Sequence, residues 1–567
     1  MTRMFLRLVA AVAVCGGLVA CGDDGTTSPM ESPVTPGYSE SSEIVASSDS
    51  ENNRAETILH SSSSILQNEM SSSAEFHITS SSSLAESSPS FHVESSSSVL
   101  LTTSSSSGFL VVSSSSETVV APSTDPMPNN GIPYIRITVP DSAALNDTDA
   151  NGESIYSEAV IEIAGNGLYN DVPASAGKVR YRGNSTRLWY PKKPYRIKFS
   201  EKTEVLGLAA NKDWVLLANY RDQSKFMNAV VFDMARNMGN FKFVNANRFV
   251  EVEVNGDYKG IYQLTEPIEQ AANRVNIDKT TGVLFNMDKD DGPELNTWDN
   301  NNFWSSVYKL PMAVKYPKNV TSDDLQSIQA DFAKVEQAIA DSDFATFSSL
   351  MDVATFIDYL IIQEVTRNVE IEAPRSTYLY KESADGKYAF GPIWDYDGGF
   401  GYSWNEDTFQ YFSEDSWILS SGNPSKSPYN CVAANMNDWG TCNTTSGNSG
   451  GSAGGRGGMN NFGGAGGGFP GGSASSWDGY SESGFFTNLF ANEEFLAAYK
   501  ARWNELKDVL YNYATGELDG YVALCKNALD NDAARWQPKR SYTTDIASLK
   551  SWLQKRIANY TSVVAAY

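Results

Sequence analysis

The chain has 567 residues and a formal net charge of −25, because 68 acidic residues outnumber 43 basic ones. A chain this acidic lacks the positive surface on which general nucleic-acid binding depends, so we expect no nucleic-acid partner. All three histidines, His60, His77 and His92, lie in a serine-rich tract. The rest of the chain therefore excludes Ser-His-Asp hydrolysis, Cys-His catalysis and imidazole metal sites, and any metal there must be held by oxygen.

The first residues have the pattern of a targeting segment. Arg3 and Arg7 precede an apolar run that ends in Leu18-Val19-Ala20-Cys21, which is typical of a bacterial lipoprotein signal over residues 1–20. The run is too short to indicate a membrane span. We expect Cys21 to be lipidated and to anchor the protein in the cell envelope, on the periplasmic side or the outer surface. The alternative is an ordinary signal peptide with an incidental cysteine.

Residues 21–130 are predicted to be a disordered linker. Runs such as SSSSI, SSSSL and ESSSSV recur there, and such polar tracts cannot bury enough apolar surface to fold. The folded region then covers residues 131–567, with a glycine-rich stretch at about 447–473 that we interpret as a surface insertion rather than a phosphate-binding loop. Two alternatives stay open for the cysteines. Either Cys431 and Cys442 form a local disulfide and Cys525 is left over, or Cys431, Cys442 and Cys525 are all free thiols.

Seven β-strands are predicted in the first part of the folded region. Apolar and polar residues alternate in these segments, as a half-buried strand requires. The strands are IPYIRITV, AVIEIAG, GKVRYRG, PYRIKFS, DWVLLANY, FVEVEVNG and GIYQLTE. A helix over residues 224–238 interrupts the series, and Asp222 and Ser224 are expected to cap its N-terminus.

The second part of the folded region is predicted to be mostly helical. Helices are expected at residues 322–341, with Ser322 as the N-cap, at 352–367, and at about 493–513, 516–530 and 543–564. Two strands, STYLYK and KYAFGPIWD, flank the turn Asp385-Gly386 between these helices. The predicted fold class is therefore α+β.

A basic segment covers residues 178–199, KVRYRGNSTRLWYPKKPYRIKF. Its density of lysine and arginine fits a polyphosphate ligand. The alternative is a solvated strand face with ion pairs. Glu266 ends the strand GIYQLTE, where the chain of a two-lobed nucleotide enzyme would cross between lobes, and it is a further candidate on the nucleotide side.

A pair of carboxylates, Asp395 and Asp397, lies in YAFGPIWDYDGGFG. Aspartates two residues apart on an extended stretch point the same way, and they form an oxygen-rich site suited to Mg²⁺ or Mn²⁺. About twenty residues upstream of this segment, Glu364, Asn368 and Glu370 add more oxygen ligands. The chain thus has an asparagine and an acid first, then two strands, and then an aspartate. This order is typical of the metal side of ATP-dependent phosphotransferases.

Taken together, these stretches resemble the CotH kinase family, named for a spore-coat protein. The stretches that match are RGNST, PKKPYRIKF, WVLLANYRDQS, FVEVEVNGDYKGIYQLTEPIE, NRVNI and GPIWDYDGGFG. The resemblance covers nearly all of residues 131–567, and the full set in this order is specific. It implies an atypical protein-kinase-like fold with a β-rich N-lobe and a helical C-lobe. It also implies binding of ATP and a divalent metal, with phosphoryl transfer to Ser or Thr of protein partners.

The resemblance also implies roles for single residues. The metal-binding aspartate of the family corresponds to Asp395, with Asp397 beside it, and the phosphate-side lysine corresponds to Lys198. Where the family has Asn-x-Asp, this chain has Asn368-Val369-Glu370, so Glu370 stands where an acid orients the acceptor hydroxyl. Glutamate reaches one methylene further than aspartate, and a misplacement of about 1 Å can cost on the order of a hundredfold in rate.

The sequence thus predicts a lipid-anchored protein that transfers phosphoryl from ATP, with Mg²⁺ or Mn²⁺, to Ser or Thr of secreted or surface proteins. The expected nucleotide-binding residues are Arg182, Lys198 and Glu266; the expected metal ligands are Asn368, Asp395 and Asp397; the expected catalytic residues are Glu370 and Asp395. Because ATP is scarce outside the inner membrane, a second hypothesis is a non-catalytic surface-binding or assembly module with the same fold. A metal-dependent hydrolase using the same carboxylates is a third, which the lack of histidine disfavours.

Overall fold

A computed structural model describes residues 123–288, 301–372, 374–401, 414–415, 417 and 484–567. These residues all belong to one compact unit, Thr103–Tyr567. The predicted signal peptide, most of the predicted linker, the glycine-rich stretch and the cysteines Cys431 and Cys442 lie outside the described residues. Cys525 is a buried free thiol.

The seven predicted strands form a closed barrel. They are β1 (Tyr134–Thr138), β2 (Ser157–Ala164), β3 (Val172–Tyr181), β4 (Tyr195–Val205), β5 (Leu208–Leu217), β6 (Arg248–Val254) and β7 (Asp257–Thr265). The strand order is β1-β2-β3-β4-β5-β7-β6. The barrel closes through a parallel pairing of β1 with β6, whereas its other pairings are antiparallel. A hairpin at Asn255-Gly256 joins β6 to β7, and both of these residues have positive φ.

Strand alternation explains which side chains fill the barrel. On β4, Tyr195, Ile197 and Phe199 are fully buried in the barrel core, whereas Arg196 and Lys198 lie on the outer face. A short helix, α1 (Ser185–Trp189), connects β3 to β4. The basic segment is therefore a strand pair and its connection, with its cations outside the barrel.

Helix α2 (Met227–Met238) follows β5, as predicted, and begins three residues later than expected. Asp222 accepts a hydrogen bond from the backbone N–H of Met227 at 2.8 Å, which confirms its predicted role at the N-terminus of the helix. The helix ends at Gly239, whose φ of +84° is a conformation that glycine adopts without strain. Almost the whole of α2 is buried in the second, larger core.

A second sheet lies in the helical part of the fold. Its strands are β8 (Val283–Met287), β9 (Asn302–Trp304), β10 (Pro311–Tyr316), β11 (Thr377–Lys381) and β12 (Tyr388–Phe390), in the order β12-β11-β8-β10-β9. The β11–β12 hairpin across Asp385-Gly386 was predicted. The strands β8 to β10 were not, because short apolar runs carry no period that separates a buried strand from a helix.

Three helices lie between β10 and β11 in the chain: α3 (Ser322–Ala340), α4 (Phe344–Leu350) and α5 (Val353–Thr366). Helix α3 packs on α4, and α5 packs against β12. The predicted N-cap Ser322 is wrong by one residue, because Thr321 and Asp324 form a reciprocal capping box that satisfies two donors at once. Asp352 caps α5 by accepting from the N–H groups of Ala354 and Thr355.

The C-terminal region has two helices, α6 (Glu493–Trp536) and α7 (Tyr542–Ala566), where three were predicted. The break predicted near Gly516 is wrong. Gly516 and Gly520 face open space, while the buried face of α6 continues through Leu510, Ala514 and Leu518. Packing of this face offsets the small helix cost of glycine, about 1 kcal/mol each.

The predicted α+β class is confirmed by a sheet-rich N-terminal part and a helical C-terminal part. The β-rich part differs from the expected lobe in being a closed seven-stranded barrel. None of the described helices combines the length with the apolar composition that a membrane crossing would need.

Candidate functional site

The predicted carboxylate pair lies in the loop that follows β12. The strand ends at Phe390, since Pro392 has no N–H to continue the ladder. The extended conformation predicted for Asp395 and Asp397 is wrong, because Asp395 has a φ of +67°. A left-handed aspartate in a folded loop is uncommon and persists where its surroundings hold it in place.

Side-chain amides from two helices hold this loop. Asn368, just after α5, donates from Nδ2 to the backbone oxygen of Asp395 at 3.2 Å. Asn228 of α2 accepts from the N–H of Tyr396 at 2.7 Å, and Gln363 of α5 donates to the Tyr396 hydroxyl at 2.8 Å. The backbone on both sides of the Asp395 carboxylate is thus fixed by α2 and α5.

Glu370 is brought to the same place by the end of α5. The helix ends at Arg367, which has a φ of +52°, and the chain turns into a short 3-10 helix, Val369–Glu372. The Oδ1 atom of Asn368 accepts from the N–H of Glu370 at 3.4 Å. The predicted metal ligand Asn368 therefore braces the backbones of Glu370 and Asp395 through the two ends of its amide.

The electrostatics of the site are those of acids crowded together. Burial raises the pKa of Glu370 to about 8, and the negative charge of Asp395 adds to this shift. Burial and then the charge of Asp397 raise the pKa of Asp395 to about 7, with a further contribution from Asp288. Both effects disfavour the ionised form of a carboxyl group. The site would therefore gain from a bound cation.

Arginines supply the positive charge near these acids. Arg221, in the loop between β5 and α2, is buried and lies 3.7 Å from Asp397 Oδ1 through its Nη1. Arg182, after β3, lies over the ring of Trp394 at 5.6 Å. The surrounding protein removes water from the Arg182 guanidinium and lowers its pKa, while the charge of Asp395 opposes that shift. Arg375 lowers the pKa of Glu370.

The two other predicted nucleotide contacts, Lys198 and Glu266, have partners of their own in the protein. The backbone N–H of Arg182 donates to the backbone oxygen of Pro194, which directly precedes β4. Lys198 is four residues after Pro194 in the chain, so it lies about 13 Å further along the strand. Lys198 is half exposed and lies 3.6 Å from Asp213. Glu266 is buried and accepts from the N–H of Ala246 at 2.9 Å. Arg182 is thus the basic residue from the 178–199 segment that reaches the acids.

The donor set was compared with the needs of a divalent cation. In the described part of the chain, no three His, Cys, Asp or Glu side chains come together as a ready-made metal site. Asp395 and Asp397 are nevertheless partly exposed, and the charge of one acts strongly on the other. Mg²⁺ commonly binds one or two carboxylates together with substrate phosphates and water. These two residues fit such a cation when a phosphate supplies the remaining oxygens.

Arg221, Asp288 and Ser376 were missed from the sequence. Asp288 follows the apolar strand VLFNM, a position where a polar side chain often meets a ligand at the end of a sheet, and this signal could have identified it. Arg221 lies in the stretch NYRDQS, between a predicted strand and a predicted helix. Nothing in the local pattern distinguishes Ser376 from other serines.

Comparison with known proteins agrees with this geometry. A family model described as CotH kinase protein matches residues 179–560, a span that includes all of the acids and arginines described above. Among curated proteins, none matches the chain. Since the family model covers more than half of the 567 residues, the chain belongs to the CotH kinase family.

Proposed function

We propose that the protein is a kinase that transfers phosphoryl from ATP, with Mg²⁺ or Mn²⁺, to Ser or Thr of secreted or surface proteins. The observation that carries the proposal is the convergence of Glu370, Asp395 and Asp397 with Arg182 and Arg221. Phosphoryl transfer depends mainly on positioning and on neutralising charge, and such a set of residues supplies both. The chain's membership of the CotH kinase family supports it.

The partly exposed acids would hold the metal. When bound with ATP, a divalent cation would neutralise charge on the phosphates. Asp395 and Asp397 supply its protein ligands, and Asn368 keeps the backbone of Asp395 in place. Arg182 and Arg221 contact the phosphates from the barrel side, where a guanidinium can form two hydrogen bonds to one phosphate.

Glu370 would orient the acceptor hydroxyl and take its proton. Its raised pKa means that the carboxyl group must first lose its own proton, and positive charge beside Asp395 favours that loss. The folded part contains no histidine that could replace it as a base among the described residues. The role of Glu370 therefore depends on the charge state of its neighbours.

We extend the proposal to architecture and location. The barrel and the helical part would correspond to the N-lobe and C-lobe of a kinase-like fold, with the nucleotide between Arg182 and Asp395. Lipidation of Cys21 would place this domain in the cell envelope, with protein partners outside the cytoplasm. The serine-rich segment would then separate the domain from the membrane.

Two measurements on the purified full-length protein test the function. Calorimetry with Mg²⁺·ATP should show binding that is lost without the metal. Transfer of labelled phosphate to Ser or Thr of envelope proteins should then be detected by autoradiography and phosphoamino-acid analysis. Metal-dependent ATP binding without transfer to any protein, including the chain itself, would favour a non-catalytic binding module. Failure to bind Mg²⁺·ATP would rule the kinase out.

A further inference from the structure

The end of the β8–β11 ladder brings a serine and an acid together beside the site. Thr377 pairs with Met287 in this antiparallel ladder, so the next residues, Ser376 and Asp288, lie opposite one another. The N–H of Ser376 donates to Asp288 Oδ2 at 3.1 Å. Asn286 donates from Nδ2 to the same oxygen at 2.9 Å. Asp288 is buried, and its Oδ2 holds the N–H of Ser376 at the edge of the sheet.

The hydroxyl of the same serine reaches the other carboxylate. Ser376 Oγ donates to Asp395 Oδ2 at 3.4 Å, which is at the long end of the hydrogen-bond range. Ser376 has a φ of +49°, a left-handed conformation that is uncommon for serine. In this conformation its N–H points to Asp288 while its hydroxyl points to Asp395.

Two of the side chains that hold the loop act on its backbone. Asn368 contacts the main-chain oxygen of Asp395, and Asn228 contacts the main-chain nitrogen of Tyr396. These two contacts fix where the residue lies and leave the direction of the Asp395 carboxylate open. The hydroxyl of Ser376 is placed to set that direction.

We propose that Ser376, held by Asp288, is a positioning residue that orients the Asp395 carboxylate toward the divalent cation. The inference rests on the proposed function, since it assigns the cation to Asp395. Side chains that hydrogen-bond a metal ligand fix its orientation, and removing them usually weakens metal binding by about ten- to a hundredfold. A hydroxyl at the end of a rigid sheet can supply such orientation at little entropic cost.

The key variant is Ser376→Gly. Glycine adopts a positive φ without strain, so this change removes the hydroxyl and keeps the backbone conformation that Asp288 holds. Ser376→Asn is the conservative partner, because asparagine tolerates the left-handed region and its amide can donate to a carboxylate. Ser305→Ala is a matched control: Ser305 donates to Glu336 at 2.5 Å in the same sheet region, and it takes no part in the Asp395 site.

Affinity for Mn²⁺·ATP is measured on the full-length protein by electron paramagnetic resonance. We expect Ser376→Gly to weaken it by about tenfold, Ser376→Asn to recover most of the loss, and Ser305→Ala to leave it unchanged. Equal affinities of the wild type and Ser376→Gly would overturn the inference while leaving the proposed function intact. A loss of the same size in Ser305→Ala would also overturn it, since general loosening of the sheet would then be sufficient.

A second readout does not depend on the nucleotide. The carboxyl ¹³C signal of Asp395 is assigned by its loss in Asp395→Asn and is followed in the metal-free protein. We expect this signal to shift in Ser376→Gly and to stay in place in Ser305→Ala. Failure of the wild type to bind Mn²⁺·ATP would overturn the proposed function. An unmoved ¹³C signal in Ser376→Gly would overturn the present inference whether or not nucleotide binds.

Discussion

Two clusters of charged side chains in this protein are built in opposite ways. One joins helix α6 to the barrel. Asp532 accepts from Lys192 Nζ at 2.6 Å and from the N–H of Ile261 at 3.1 Å, and its second oxygen lies 3.6 Å from Lys225 Nζ. All three charged residues are buried. Gly260 makes this approach possible, since an added Cβ would lie only 2.1 Å from Asp532 Oδ1.

The other cluster is the candidate site, where like charges meet. Burial raises the pKa values of Glu370 and Asp395. The charges of Asp395 and Asp397 add to the shift of Glu370, and those of Asp397 and Asp288 add to the shift of Asp395. Arg182 and Arg221 oppose these shifts only in part. In the α6 cluster, by contrast, an acid lies between two lysines, and burial lowers the pKa of Lys192 to about 8 although Asp532 opposes that shift.

The comparison distinguishes a charge cluster that stabilises the fold from one that we propose binds a ligand. A buried acid whose oxygens are all engaged by protein donors contributes to structure and costs much when broken. Crowded acids that repel one another are unfavourable until a cation arrives, and such perturbed groups are typical of functional sites. We therefore expect mutations in the first cluster to change stability and mutations in the second to change binding and catalysis.

The largest effect is expected from Asp532→Ala. The change leaves Lys192 and Lys225 buried without their acid, and breaking a buried ion pair in this way costs about 3–5 kcal/mol. The loss should be seen in the free energy of unfolding measured by chemical denaturation. Lys526→Ala is the control on the same helix, because it removes an exposed pair with Asp530 and should change stability little. Equal free energies of unfolding for the two variants would contradict a stabilising role of the Asp532 cluster.

Glu370→Gln should lower the rate of phosphoryl transfer by a factor on the order of a thousand, because a general base contributes about that much. ATP binding should remain, because Glu370 is not assigned to the metal. Glu370→Asp should hold or raise the rate, since it restores the shorter acid of the family pattern. Labelled phosphate transfer and calorimetry measure the two properties. If neither the wild type nor Glu370→Asp transfers phosphate, Glu370 has no catalytic role.

Asp395→Asn should weaken Mg²⁺·ATP binding by about a hundredfold or more. Mutation of a residue that only supports a metal ligand can already lower metal affinity by that much. The metal-free protein should unfold at the same temperature or higher at pH 8, because one of the repelling charges is gone. Calorimetry and thermal unfolding test the two expectations. Wild-type affinity in this variant would show that another carboxylate holds the metal.

The smallest effect is a pH dependence. The folded-state pKa values of Glu370 and Asp395 lie above their unfolded values, so the folded protein binds more protons and the metal-free form loses stability as pH rises from about 4 to about 8. A cation must displace these protons. Binding of Mg²⁺·ATP should therefore be about tenfold stronger at pH 8 than at pH 6. A flat wild-type profile would contradict the assignment of the metal to Asp395.

Local pattern was sufficient for the strands of the barrel and for most helices. The alternation in PYRIKFS identifies which face of β4 is buried, because successive side chains on a strand point to opposite sides. A short stretch of sequence is enough to show this period. The same reasoning failed at Gly516, where long-range packing along α6 decides that the helix continues. It also failed for β8, whose continuous apolar run has no period.

The site was found from the sequence only where its residues lie in compact motifs. Asp395 and Asp397 lie in one loop, and Asn368 and Glu370 lie just after one helix, so short-range pattern and family resemblance could identify them. Lys198 was predicted as the phosphate-side cation from the family resemblance, whereas the structure has Arg182 and Arg221 beside the acids. A dense basic segment does not tell which cation points inward.

The pattern of strands and helices and the compact motifs of the candidate site were thus readable in the linear order of residues, because residue type and period are local properties. Meetings of distant segments were decided by the tertiary structure. Asp288 and Ser376 are 88 residues apart and meet because β8 and β11 are neighbours in a sheet. Lys192 and Asp532 are 340 residues apart and meet because α6 packs against the barrel. Such pairs follow from which surfaces bury one another, and that depends on the packing of the whole chain rather than on any one stretch of it.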